Sequence, residues 1–165
     1  MNEKSIQIEL YKDLSRRSRL FTVPNISTGY GEADLFSLTK AMFSHEYEIK
    51  VSRSDFKADF KHKHYKHAIY SGECGLRPSH ERPPNHFWYA VPEGLISVDE
   101  VPHYAGLIEI CTHPDQQRVY VKEIKPAPKL HKEKVSQMRL LSMVKGVEWR
   151  YWREIDKSIK SPNQG

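Results

Sequence analysis

The chain of 165 residues lacks several features that define large classes of proteins. No apolar run approaches the roughly 18 to 20 residues of a membrane-spanning helix. The opening residues 1–5 contain no apolar stretch typical of a signal peptide. A glycine-rich phosphate-binding loop and a Gly-x-Ser-x-Gly motif are both missing, which argues against a small-molecule enzyme of the common α/β types. These absences favour a cytoplasmic protein without a membrane segment.

Cysteine is scarce, and the two cysteines lie far apart. Cys74 and Cys111 have no neighbouring ligand-type residue at metal-site spacing. The pattern predicts free thiols in a reducing compartment. A disulfide between the two remains the alternative.

The composition is that of an ordinary globular protein. Hydrophobic residues make up 38% and charged residues 28% of the chain, which predicts one domain over residues 1–165. The net charge of +5 suits a polyanionic partner, but many basic proteins bind nothing acidic.

The apolar periodicity predicts an α/β fold in which helices flank a central mixed sheet. Residues 20–31 are a loop or a short strand followed by a turn. A loop expected to be flexible lies at about 71–85 and a disordered tail at about 160–165. The predicted helices span residues 3–17, 52–70 and 131–155, with one helical turn at 97–100, and the predicted strands span residues 33–40, 43–51, 86–91, 106–111 and 118–124.

Two acids and a lysine on neighbouring strands form the pattern with the clearest chemical meaning. Asp34 precedes Glu48 by 14 residues, and Lys50 follows two residues later. Side chains two apart on a strand leave the same face, so Glu48 and Lys50 point together. Carboxylates, with the backbone carbonyl of Ile49, are ligands that Mg²⁺ prefers, and a lysine can assist the attacking water or stabilise charge on phosphorus. The alternative is an exposed acid and a surface ion pair.

This Asp…Glu-x-Lys pattern resembles the PD-(D/E)xK nuclease superfamily, although Ala33 stands where the motif has proline. The wider stretch through Tyr-Glu-Ile-Lys-Val-Ser-Arg-Ser is similar to small bacterial and phage members described as MmcB-like DNA repair proteins. The specific likeness covers roughly residues 30–112.

The resemblance implies a restriction-endonuclease-like core and a site that binds Mg²⁺ or Mn²⁺. Asp34 and Glu48 would be metal ligands and Lys50 the catalytic lysine. An acid of the first helix often completes such sites, and we select Glu9, with the alternatives Glu3 on that helix and Glu32 beside Asp34.

The residues after Lys50 are basic and offer a surface for nucleic acid, namely Ser52, Arg53, Lys57, Lys61 and Lys63. Ser52 is at least as well explained as a helix cap, and the lysines as a solvated face. The histidines at 62, 64 and 67 could suggest zinc, but no cysteine or Glu-x-x-His pattern accompanies them.

The sequence therefore predicts a metal-dependent nuclease that hydrolyses DNA in repair or phage DNA processing, inside a bacterial or phage-infected cell. The alternative is a catalytically silent nucleic-acid-binding protein with the same fold. RNA as the substrate and a homodimer as the assembly both stay open.

Overall fold

The computed structural model describes residues 1–75, 82–115 and 118–160. Four α-helices, a 3₁₀ turn at Val98–Glu100 and six strands make up this part of the chain. The helices are α1 (Glu3–Arg16), α2 (Arg53–His62), α3 (His64–Tyr70) and α4 (Gln137–Lys160), and the strands are β1 (Phe21–Ser27), β2 (Glu32–Leu38), β3 (Ser44–Ile49), β4 (His86–Pro92), β5 (Ala105–Thr112) and β6 (Val119–Lys125).

The six strands form one mixed sheet whose spatial order is the order in the chain. The β3–β4 and β4–β5 pairs are parallel, and the other three pairs are antiparallel. The helices α2 and α3 connect the parallel strands β3 and β4, because such strands need a crossover between them. The predicted α/β class, a mixed sheet with helices, is confirmed.

Each face of the sheet has its own apolar core. Ile6, Leu10 and Leu14 recur every four residues on α1 and pack against one face, as the sequence predicts. Phe56 of α2 and Ile69 of α3 pack against the other face. The alternation in β3 therefore directs its apolar residues towards α1 and its charged residues towards α2 and α3.

Two predicted helices differ from the observed ones. The helix predicted over 52–70 is broken at Lys63, whose φ of −113° and ψ of 31° lie outside the helical region. The last helix begins at Gln137, not at 131, and Pro126 and Pro128, which favour extended chain, lie well before its start. The amide nitrogen of Asn85 also donates to the carbonyls of His131 (3.0 Å) and Glu133 (2.8 Å), which holds that segment outside a helix.

Residues 1–134 form one compact unit, which contains the whole sheet, and residues 135–165 form another. The single domain expected over the whole chain stays a prediction. Residues 76–81 of the predicted loop and 161–165 of the predicted tail lie outside the described residues. Cys74 is exposed and Cys111 is buried, and both are free thiols. No helix among the described residues is long and apolar enough to span a membrane.

Candidate active site at the β2–β3 junction

Asp34 lies where the hydrogen-bond ladders of β2 are interrupted. Of the seven described residues of β2, it is the one that takes part in neither ladder. The β2–β3 pairing ends at Leu35↔Tyr47, and its continuation by one residue would place Asp34 opposite Glu48. Instead, the Asp34 carboxylate accepts a hydrogen bond of 2.6 Å from the backbone N–H of Ile49. The side chain of Asp34 therefore occupies the gap between the two strands.

Gln7 is the α1 side chain that contacts Asp34. Its amide nitrogen donates to the Asp34 backbone carbonyl and, at 2.8 Å, to the side chain of Asn25. Glu9, the predicted helix ligand, instead pairs with Lys12 at 2.7 Å. The helical period explains the difference, because Gln7 and Glu9 are about 200° apart around the helix axis.

Glu48 is fully buried and is held by three lysines. The Lys63 ammonium lies 2.8 and 2.7 Å from its two carboxylate oxygens, and Lys50 lies 3.3 Å from Oε2. Lys66 contacts Oε1 of Glu48 and also pairs with Glu46. The exposed fraction of the lysine side chains differs greatly, at 2% for Lys66, 8% for Lys50 and 31% for Lys63. Lys63 is thus the lysine that covers Glu48 on the solvent side.

Asp59 of α2 is the second carboxylate that holds Lys50. Its Oδ1 lies 2.8 Å from the Lys50 ammonium. Its Oδ2 lies 2.9 Å from the ring of His67 and accepts a hydrogen bond of 3.0 Å from the Tyr89 hydroxyl. The other ring nitrogen of His67 lies 2.8 Å from the Tyr104 hydroxyl. This chain of contacts fixes the position of Lys50 beside Glu48.

The electrostatics of the site separate the two predicted carboxylate ligands. Burial, followed by the charge of Glu48, raises the pKa of Asp34 to about 6. Burial alone would raise the pKa of Glu48 too, but Lys66 and Lys63 hold it below its ordinary value. Burial would lower the pKa of Lys50, but Glu48 and Asp59 raise it, so that Lys50 is an ammonium at neutral pH. Asp34 is therefore the carboxylate that lacks a full counter-charge.

The donor set suits a magnesium ion that keeps most of its water. No group of three or more His, Cys, Asp or Glu side chains arranged to hold a metal occurs in the described part of the chain. Two carboxylates with water are nevertheless a sufficient protein contribution for Mg²⁺. Asp34 and Glu48 repel one another, and a cation between them would relieve that repulsion. The Lys63 ammonium, against both oxygens of Glu48, is a stand-in cation at this point.

The other predicted contact residues have varied environments. Ser52 caps α2, because its hydroxyl accepts from the Asp55 N–H at 3.1 Å. Arg53 donates to the Leu95 carbonyl at 2.9 Å and pairs with Glu100. Lys57 and Lys61 are exposed. His62 and His64 are exposed and His67 is buried, an arrangement that does not form a zinc site within the described residues.

Sequence reasoning gave no role in this site to four members of the cluster, which are Glu46, Asp59, Lys66 and His67. Their spacing gave a partial signal. Glu46 shares the β3 face of Glu48, and Asp59, Lys63 and Lys66 recur at intervals of three and four residues, which would place them on one side of the single helix predicted over residues 52–70.

Comparison with known proteins supports the fold. No family model matches the chain, and no curated protein matches it significantly. A solved structure of a protein of unknown function from Silicibacter pomeroyi is similar, with a TM-score of 0.59 and 16% sequence identity over 95% of this chain and 90% of that chain. At this identity, the likeness concerns the fold alone.

Proposed function

We propose that the protein is a metal-dependent nuclease of the PD-(D/E)xK type that hydrolyses phosphodiester bonds in DNA. The observation that carries the proposal is the junction of β2 and β3, where Asp34 reaches across an interrupted ladder to the backbone next to Glu48. The buried ammonium of Lys50 lies beside the same carboxylate. A role in structural salt bridges alone does not explain why the Asp34 carboxylate is partly buried and has a raised pKa.

Each residue has a separate task in this mechanism. Asp34 and Glu48, with the Ile49 carbonyl, would hold Mg²⁺ or Mn²⁺. When bound, that ion would polarise a phosphoryl oxygen and lower the pKa of the attacking water. Lys50 is kept protonated by Glu48 and Asp59, so it acts as a fixed positive charge that stabilises the negative charge developing on the phosphate. Lys57 and Lys61, exposed on α2, would contact the nucleic-acid backbone.

A cleavage assay with matched variants tests the proposal. Wild-type protein is expected to cut DNA with Mg²⁺ or Mn²⁺. Asp34→Asn should lose activity by at least about a hundredfold, because losing a metal ligand should cost no less than losing a group that only orients one. The Asn side chain can still accept from Ile49 N–H, so the variant should fold. Glu123→Gln is the control, because Glu123 is an exposed acid on β6, at the other edge of the sheet, and is not among the candidate ligands. Equal cleavage by wild type and Asp34→Asn would refute the site.

A catalytically silent nucleic-acid-binding protein is the second candidate. The contacts of Glu48 favour this second candidate. Each oxygen of the carboxylate already faces two ammonium groups, which stand where a metal ion would have to bind. Metal calorimetry separates the candidates. Binding of Mg²⁺ or Mn²⁺ that is lost in Asp34→Asn supports the nuclease, whereas DNA binding without any metal binding supports the silent protein.

The proposed partner is DNA, with RNA as the alternative, and the proposed location is the cytoplasm of a bacterial or phage-infected cell. An endonuclease assay that compares single-stranded, double-stranded and RNA substrates would define the substrate. Sedimentation analysis would show whether the protein assembles as a homodimer.

A further inference from the structure

The three lysines around Glu48 differ in what holds them. Lys66 is shared between Glu46 and Glu48, both on β3, and Lys50 is shared between Glu48 of β3 and Asp59 of α2, so each of these lysines is held by two different carboxylates. Lys63 instead contacts both oxygens of Glu48 and lies 3.5 Å from Asp59. It is also the most exposed of the three, and it occupies the junction between α2 and α3, where the helix is already broken. Lys63 is therefore the lysine whose side chain is least enclosed by the site.

The charges of the site are not balanced with Lys63 in place. Four carboxylates, those of Asp34, Glu46, Glu48 and Asp59, lie near three ammonium groups. A divalent ion in the position of the Lys63 ammonium would supply one further positive charge and equalise the two signs. The exchange would also add to the partial counter-charge that Lys50 and Lys63 give Asp34.

We infer that the Lys63 ammonium occupies the cation position of the site and that a divalent ion binds only by displacing it. The inference rests on the proposed function for the identity of the ion. The protein without metal is then a closed state in which Lys63 covers Glu48. Metal binding opens the site and releases a lysine to solvent at the edge where the nucleic acid would approach.

Calorimetry with Mn²⁺, in the absence of DNA, tests this inference on the full chain. Lys63→Met keeps most of the side-chain length and removes the competing charge, so the affinity for Mn²⁺ is expected to rise by about tenfold or more. Lys57→Met is the matched control, because it removes an equal charge from an exposed position of the same helix. Its affinity should stay within about threefold of wild type, as screening weakens the effect of an exposed charge.

The outcomes distinguish the inference from the proposed function. Tighter binding by Lys63→Met that is abolished by adding Asp34→Asn supports both. Binding by wild type that Lys63→Met leaves unchanged or weakens overturns the displacement and leaves the metal site standing. Absence of binding in wild type and in Lys63→Met overturns the proposed metal site and the inference with it.

A second measurement uses wild-type protein and so does not depend on how the variant folds. Acetylation of lysine by an amine-reactive ester, read by mass spectrometry, reports the accessibility of each ammonium. Adding Mn²⁺ should increase modification of Lys63 by about threefold or more, since its exposed fraction of 31% would rise towards that of a free side chain. Modification of Lys57 should not change. Unchanged or reduced modification of Lys63 at saturating Mn²⁺ would overturn the inference.

Discussion

Lys66 is the most deeply buried cation of the site, and its position explains how the acids of β3 are tolerated in a core. Its side chain is 2% exposed and pairs with Glu46 and Glu48, both fully buried. The Tyr70 hydroxyl satisfies the other oxygen of Glu46 at 2.9 Å. The cluster is thus stable only as a set, because removal of one partner leaves a buried charge uncompensated.

Lys66→Met should therefore lower the free energy of unfolding by about 3 to 5 kcal/mol. Urea denaturation measures the change, and Lys57→Met on the exposed face should alter it by less than about 0.5 kcal/mol. Adding Glu46→Gln to Lys66→Met should recover part of the loss, because one unpaired carboxylate is removed with it. A loss no larger than that of the control would contradict the paired arrangement.

Asp34 should make the metal-free protein less stable as the pH rises. Its pKa is about 6 in the folded protein and near 3.8 in the unfolded chain, so the folded state binds more protons between these values. The free energy of unfolding therefore falls as the pH rises from about 4 to about 6, and the cost persists above that range.

Asp34→Asn removes the loss of stability that ionisation of Asp34 causes. With chelator present, the variant should be more stable than wild type by about 1 to 2 kcal/mol near pH 7.5, and the two should converge near pH 4. Urea denaturation at both pH values checks this. Glu48 and Asp59 affect stability in the opposite sense to Asp34, but both proteins contain them, so their contributions cancel in the comparison. An equal loss of stability at both pH values would show that the Asp34 carboxylate is not destabilising.

At the scale of the element, Gly106 in β5 allows the sheet, Trp88 and the chain after β6 to pack closely. A Cβ at this position would lie 2.5 Å from the indole ring of Trp88 and 2.6 Å from the backbone nitrogen of Ala127. The backbone atom cannot move without shifting the segment that follows β6. Position 106 therefore requires a residue as small as glycine.

Gly106→Ala should consequently lower the free energy of unfolding by about 1 to 3 kcal/mol, the cost of overpacking a core. Gly146→Ala is the matched control, because no other side chain among the described residues of α4 lies within 4 Å of the added methyl group. Alanine should favour α4 by up to about 1 kcal/mol. Thermal denaturation of both variants measures these changes. A Gly106→Ala variant as stable as wild type would contradict the account.

The sequence predicted most elements well, because local periodicity decides them. The four-residue recurrence of Ile6, Leu10 and Leu14 and the alternation of β3 are both short-range patterns, and both were confirmed. The start of α4 was wrong because it depends on Asn85, which lies about fifty residues away and binds the carbonyls of the preceding segment. A local pattern contains no information about such a contact.

At the scale of the whole molecule, the site depends on the topology of the sheet. Asp34 comes from β2, Glu48 and Lys50 from β3 and its end, and the counter-charges from α2 and α3 in the crossover to β4. The sequence could identify the acids and Lys50 by their spacing. It could not predict that Lys63 and Lys66 turn towards Glu48, because lysines on a helix ordinarily form a solvated face. Both lysines pair with a carboxylate that lies 15 and 18 residues away in the sequence.

The same topology explains why Gln7, and not an acid, approaches Asp34. The helix α1 packs on the sheet face opposite the lysine cluster, and the turn that carries Gln7 reaches the backbone of Asp34 from that side. Glu9 stays paired with Lys12. A cation at the site would therefore rely on Asp34 and Glu48, together with the Ile49 carbonyl and water.

The central claim is that Asp34 and Glu48 jointly hold a divalent ion beside Lys50. The most direct measurement is anomalous diffraction from crystals of the full chain soaked in Mn²⁺. The account predicts an anomalous peak about 2.1 Å from oxygens of both carboxylates, with the Lys63 ammonium displaced from Glu48. A peak absent from this position, with Lys63 still against Glu48 under conditions where the protein cuts DNA, would contradict it.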